Sequence, residues 1–255
     1  MVDQAASPSR RHLLAFCSSD EPTRRMILGL LGCSPAFVLS GCSSRPRTIR
    51  YRLTLFVETP EGERIGTAVV EARDTYNDGY FKNLGNVVRT ELRGEATVVD
   101  LGSRGLLFCL LRGDPTRPKS PQANPTSLPA WYYKQRIDGV TPMGSLYDEL
   151  NKTRPKMEIP LDALPFLVRF GDPKESATID RVDPLNMAAS FGDGVRLMRA
   201  VMEITDDSIT HGIINQLPWL ATGWPVKQVY PASGPVADFK PERLMLHNAF
   251  WSNFD

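Results

Sequence analysis

Histidine is nearly absent from this sequence, with three in 255 residues. Cysteine numbers four, too few for a chain this long to be a disulfide-framework miniprotein. No His-x-x-x-His, Cys-x-x-Cys or calcium-loop spacing occurs, so no metal site is expected; the leading reading includes no cofactor. Net charge is also lacking: 30 basic against 29 acidic side chains leave +1. That excludes a generally basic nucleic-acid binder. Long apolar runs are missing too. Residues 26–39 are broken by Gly29, Gly32 and Pro35 and fall short of the ~20 residues a membrane-spanning helix needs. Proline is in excess, at 21 residues against an ordinary ~5%. The 42% hydrophobic fraction still suffices for a core.

The first 42 residues carry an address. Residues 1–25 are polar and hold the pairs Arg10-Arg11 and Arg24-Arg25. The modest apolar run 26–39 follows and ends in Leu39-Ser40-Gly41-Cys42. A positive region, a short apolar region and small residues before a cut site make a secretory signal. Leu39, Ser40, Gly41 and Cys42 resemble the lipobox of bacterial lipoproteins. The resemblance implies a diacylglyceryl group on the Cys42 thiol and cleavage just before it. Arg24 and Arg25, within Thr23-Arg24-Arg25-Met26-Ile27-Leu28, resemble a twin-arginine export signal; a Sec signal with incidental arginines is the alternative. Ser43, where an inner-membrane retention signal would have aspartate, points to the outer membrane. The expected partners are the export and lipoprotein-processing machinery, the membrane through the lipid anchor, and an unknown envelope protein or ligand. The expected location is the cell envelope, facing the periplasm. Several acyl chains suffice to hold a protein there, at ~0.8 kcal/mol per buried CH₂.

Removing residues 1–41 takes four arginines and three acids, leaving 26 of each sign. Cys17 and Cys33 leave as well and Cys42 is acylated, so Cys109 remains without a disulfide partner. The expected domains are the signal peptide 1–41, a lipidated tether 42–48, a globular domain 49–217 with a proline-rich loop 112–130, and a wrapping tail 218–255. The expected fold class is α+β, mainly antiparallel β-sheet with a few short helices and a C-terminal tail rich in proline and aromatics. Ile49, Tyr51, Leu53, Leu55 and Val57 alternate with polar neighbours, the period of a strand. A turn at 59–63 and a partner strand at 65–71 complete a hairpin. A second hairpin joins 95–101 to 106–112 through Gly102-Ser103-Arg104-Gly105. Residues 76–80 are expected to form an exposed loop. Helices are expected over 128–137 and 145–152, and strands over 166–170, 176–182 and 195–204. The last strand would put Met198, Ala200, Met202 and Ile204 on one face. Asp183-Pro184 has the form of a helix start, with Gly192 as its stop. Asp206-Asp207-Ser208 is expected to cap a helix ending at Pro218.

Tyr51–Gly62, Gly94–Leu101, Arg181–Pro184, Phe191–Val195, Glu203–Asp206 and Leu217–Leu220 together resemble an uncharacterised group of proteobacterial proteins. That resemblance carries no activity and no catalytic residues.

Candidate chemistry is sparse. Gly102-Ser103-Arg104-Gly105 is one residue short of a nucleophile elbow. Cys109 lies in an apolar strand, where a thiol acts as a small hydrophobe. Asp207 and His211, four apart on the expected helix, are the best acid/base candidates; a surface ion pair is the plainer account. Asp172, Asp180, Asp183 and Asp193 are expected to cap and turn. Arg112-Gly113-Asp114, an integrin-type tripeptide, is read as coincidence. Arg45, Arg47, Arg50 and Arg52 either meet headgroups or line a solvated strand face. Trp219, Trp224 and Trp251 are assigned to packing, and His247 to structure. The leading expectation is a non-enzymatic envelope lipoprotein that binds or assembles. The alternatives are a lipid-anchored hydrolase using Asp207 and His211, and a cofactor-binding protein exported folded.

Overall fold

A computed structural model describes residues 46–76, 88–114, 116–121, 128–134, 143–222 and 250–252. The chain divides into the units Met1–Gly41 and Cys42–Asp255, and every described residue belongs to the second. The signal peptide, Arg24, Arg25, the lipobox with Cys42, Trp224 and His247 lie outside the described residues.

Strand β1 (Arg47–Thr59) and β2 (Gly62–Tyr76) form one long antiparallel hairpin. The period-two pattern sets its register: Ile49, Tyr51, Leu53, Leu55 and Val57 are buried while their neighbours are half-buried. At the turn the Thr59 hydroxyl donates to the Gly62 carbonyl at 2.7 Å. Gly62 there has φ +120°, which a side chain would resist. Strands β3 (Val88–Glu95) and β9 (Arg196–Ile204) extend the sheet on either side. β6 (Lys156–Ile159) and the two-residue β10 (Trp251–Ser252) close its edges, in the order β10-β3-β2-β1-β9-β6.

A second antiparallel sheet has the order β4-β5-β7-β8, from Thr97–Asp100, Leu106–Gly113, Pro165–Phe170 and Ile179–Arg181. The inner residues of β1 share one core with Leu107, Cys109, Leu111 and Leu167 of this sheet. Leu146, Tyr147 and Leu150 of helix α2 (Met143–Thr153) and Tyr132 of α1 (Leu128–Lys134) join it. On the other face, Phe108, Leu110, Phe166, Val168 and Phe170 pack against Ile213, Leu217, Leu220 and Phe250. Burial on both faces explains why residues 106–111 of β5 are apolar without alternation, ahead of the buried Arg112. The fold is α+β and mostly antiparallel sheet, with four short helices among the described residues.

The C-terminal tail contributes to this second core. Phe250 is fully buried, and its carbonyl accepts from the Ala96 amide at 2.8 Å. Trp219 lies tilted 5.8 Å from Phe170 and edge-on 5.6 Å from Phe250, and its indole N–H donates to the Pro173 carbonyl. Trp251 pairs through its backbone with Glu95 in β3.

Four local expectations change. β3 is a strand before Glu95 that the sequence pattern conceals. The stretch 176–182 contains a 3-10 turn, Ser176–Thr178, and only three residues of strand, β8. No helix starts at Asp183; its carboxylate accepts from the Leu185 amide at 3.0 Å, and a single helical turn, α3 (Ala188–Phe191), follows. Gly192 does end that turn, at φ +89°. Finally, the register between β1 and β9 shifts at Phe56/Val57, where Phe56 faces Arg199 and Val57 faces Leu197. Met198 is the extra residue, and this β-bulge turns it outward. Leu197, not Met198, joins Ala200, Met202 and Ile204 in burial.

Candidate functional site

Asp207 and His211 do not share a helix. Residues 205–212 are irregular, and helix α4 spans only Ile213–Gln216. Asp207 forms an ion pair with Arg52, which also pairs with Glu203 at 3.4 Å. Neighbouring Asp206 pairs with Arg154. The two acids therefore pin the chain back onto β1 and the end of α2 instead of capping a helix. Glu95 does that capping, from far away in sequence. Its buried carboxylate accepts from the Gly212 and Ile213 amides at 2.8 and 2.9 Å, the groups a helix N-terminus leaves open. Thr210 fixes the same segment by exchanging hydrogen bonds with the Val69 backbone.

The arginines near the chain's entry also have partners. Arg47 pairs with Asp148 at 3.0 Å and Arg50 with Glu71 at 2.6 Å. Arg45 lies outside the described residues. Asp114 is 3% exposed. Its carboxylate accepts from the Thr116 amide and hydroxyl and from Arg181, and pairs with Arg117. An integrin-type tripeptide must be reachable; here Asp114 is the buried hub of a loop. Asp172 and Asp183 accept from local amides as turn formers, while Asp180 pairs with Arg169.

At one end of the sandwich, three turns meet. Arg104 donates to the Glu61 carboxylate at 3.1 and 2.9 Å and to the Phe191 carbonyl at 2.9 Å. These hydrogen bonds from Arg104 hold the Glu61 carboxyl down at about 2. Residues 59–62, 102–105 and 191–194 thus form a fixed cap, with Ser103 as an ordinary turn residue.

Burial pushes the Cys109 thiol up, away from the thiolate that a nucleophile requires. Burial, then Cys109, does the same to the Tyr51 phenol. The Tyr51 hydroxyl has no hydrogen-bond partner among the described residues. Among the described residues no group of His, Cys, Asp and Glu has the arrangement to hold a metal ion.

Two features were not read from the sequence. The first is Asp74, which continues the inward positions Ala68, Val70 and Ala72 of β2 and is fully buried. Burial pushes its carboxyl above the ordinary Asp range, opposed by the neighbouring Thr90 and Tyr147. A raised folded-state value means that stability is fully present below the unfolded value of ~3.9. It is lost as pH rises through the folded value. Asp74→Asn keeps the shape without the charge. Its melting midpoint is expected above the wild type's at neutral pH, with the gap closing on acidification. Circular dichroism melts across pH check this; a gap that ignores pH would remove Asp74 from the titration. The second feature is an exposed apolar strip. Ile65 is 56% and Met198 50% exposed. Ile65 is the cross-strand partner of Phe56, over whose ring the Arg199 guanidinium sits at 3.9 Å. Such a strip offers dispersion and cation–π contact but no group that transfers a proton.

The chain matches no known protein-family model, no curated protein and no solved structure.

Proposed function

We propose that this chain is a lipid-anchored protein of the bacterial cell envelope that works by binding or assembly. The observation that carries the reading is the order of the first 42 residues: the polar stretch with Arg24-Arg25, the short apolar run 26–39, then Leu39-Ser40-Gly41-Cys42. β1 would start five positions after the acylated cysteine. Export through the twin-arginine route by Arg24 and Arg25, and residence at the outer membrane facing the periplasm, belong to the same proposal. The non-enzymatic part rests on how the acids are used: Asp207 on Arg52, Glu95 on backbone amides, Asp114 on two arginines.

Cys42→Ala is expected to move the protein from the membrane fraction to the soluble periplasmic fraction without changing its melting point. A variant that stays membrane-bound would count against the anchor. Arg24→Lys with Arg25→Lys is expected to block export, and undiminished export would favour Sec.

A further inference from the structure

We infer that the acylated domain meets the bilayer with one particular end: the end of the six-stranded sheet where β1 begins lies at the headgroups, and the cap of residues 59–62, 102–105 and 191–194 points outward. This rests on the lipid-anchor proposal and adds an orientation to it. Five Cα steps separate Cys42 from Arg47, and an extended chain covers ~3.5 Å per step. The lipid therefore holds Arg47 within ~17 Å of its own attachment point. The groups beside Arg47 share that limit. Asn151 at the end of α2 donates to the Thr48 carbonyl at 3.0 Å, and Asp148 pairs with Arg47. The cap lies at the other end of β1. Thirteen residues of strand at ~3.3 Å each put it ~40 Å away.

Tether length fixes the near end, and charge disfavours the far one. Around the cap and its neighbouring strip, Glu58, Glu61, Glu63, Asp100 and Asp193 outnumber Arg64, Arg104, Arg196 and Arg199. An anionic leaflet repels such a surface. The surface that meets lipid is therefore the Arg47/Asn151 end, and the surface open to other molecules is the cap with the neighbouring Phe56, Ile65 and Met198 strip.

The test uses the full chain, processed in cells, purified from membranes and placed in vesicles of phosphatidylethanolamine and phosphatidylglycerol with a spin-labelled headgroup lipid. Lys152→Cys marks the near end and Ser103→Cys the cap; both positions are exposed, while native Cys109 is buried. A fluorophore on either is read for quenching. Several-fold stronger quenching at position 152 than at 103 is expected. The intact mass of the same samples separates the two levels of failure. An acyl adduct on Cys42 with equal quenching, or with stronger quenching at 103, overturns the orientation alone. The absence of an adduct overturns the anchor and the orientation with it.

Discussion

Asp114→Ala is expected to lower the unfolding free energy by about 3 kcal/mol. The carboxylate is buried and has no idle oxygen: one accepts from the Thr116 amide at 2.9 Å and its hydroxyl at 2.6 Å. The other accepts from Arg181 at 2.8 Å and pairs with Arg117 at 3.2 Å. Its own amide donates to Ser120, whose hydroxyl continues to the Leu164 carbonyl. Truncation takes the carboxylate away from Arg181, while Arg117 keeps its ion pair with Asp183, and breaking a buried pair costs more than the pair contributed. Arg181 is partly exposed, which places the loss at the low end of the ~3–5 kcal/mol seen for buried pairs. Asp114→Asn retains the acceptor for Thr116 and is expected to lose less. Urea unfolding checks the order; an alanine variant within ~0.5 kcal/mol of wild type would show that Asp114 is no hub.

Gly66→Ala is expected to cost as much, through a different mechanism. Gly66 faces inward on β2 where β4 crosses beneath it. An added Cβ would collide with the Val98 carbonyl oxygen, and would lie 2.7 Å from both the Val98 carbonyl carbon and Val99 Cγ2. These are backbone or buried neighbours without a free rotamer to take. Overpacking ordinarily costs ~1–3 kcal/mol, and a collision with backbone belongs at the upper end. Gly105→Ala is the contrast in mechanism: it meets nothing within 4 Å and bears only the backbone strain of φ 98° with ψ −161°, a conformation essentially confined to glycine that costs ~1–3 kcal/mol. Equal unfolding midpoints for wild type and Gly66→Ala would contradict the close crossing of β4 and β2.

Both hairpins are legible in the sequence because local pattern and tertiary burial agree there. Ile49 to Val57 alternate and then do alternate in burial; Gly102 to Gly105 lie at a turn. β3 is illegible because Glu91 and Arg93 occupy its outer face, opposite Arg73 and Glu71 of β2, and leave little apolar signal. The expected helix after Asp206 fails for a non-local reason. Asp206, Asp207 and Ser208 have the composition of a cap. Arg154 and Arg52 claim the two acids, and the cap of α4 comes from Glu95. A strict period of two places Met198 inward, and the bulge opposite Phe56/Val57 breaks that period at one residue. A bulge depends on how two strands pair, and β9 alone does not encode it. The candidate site was legible only as residue types. Asp207 and His211 were evident, but Arg52 as the partner of Asp207 was not.

The central claim is the anchor, and the most direct measurement is the intact mass of the mature protein extracted from membranes of cells producing the full chain. The expected result is a chain beginning at Cys42, heavier than residues 42–255 by a diacylglyceryl group or by that group with an N-acyl chain. A membrane-extracted chain that begins elsewhere, or one with an unmodified Cys42 thiol, would contradict it.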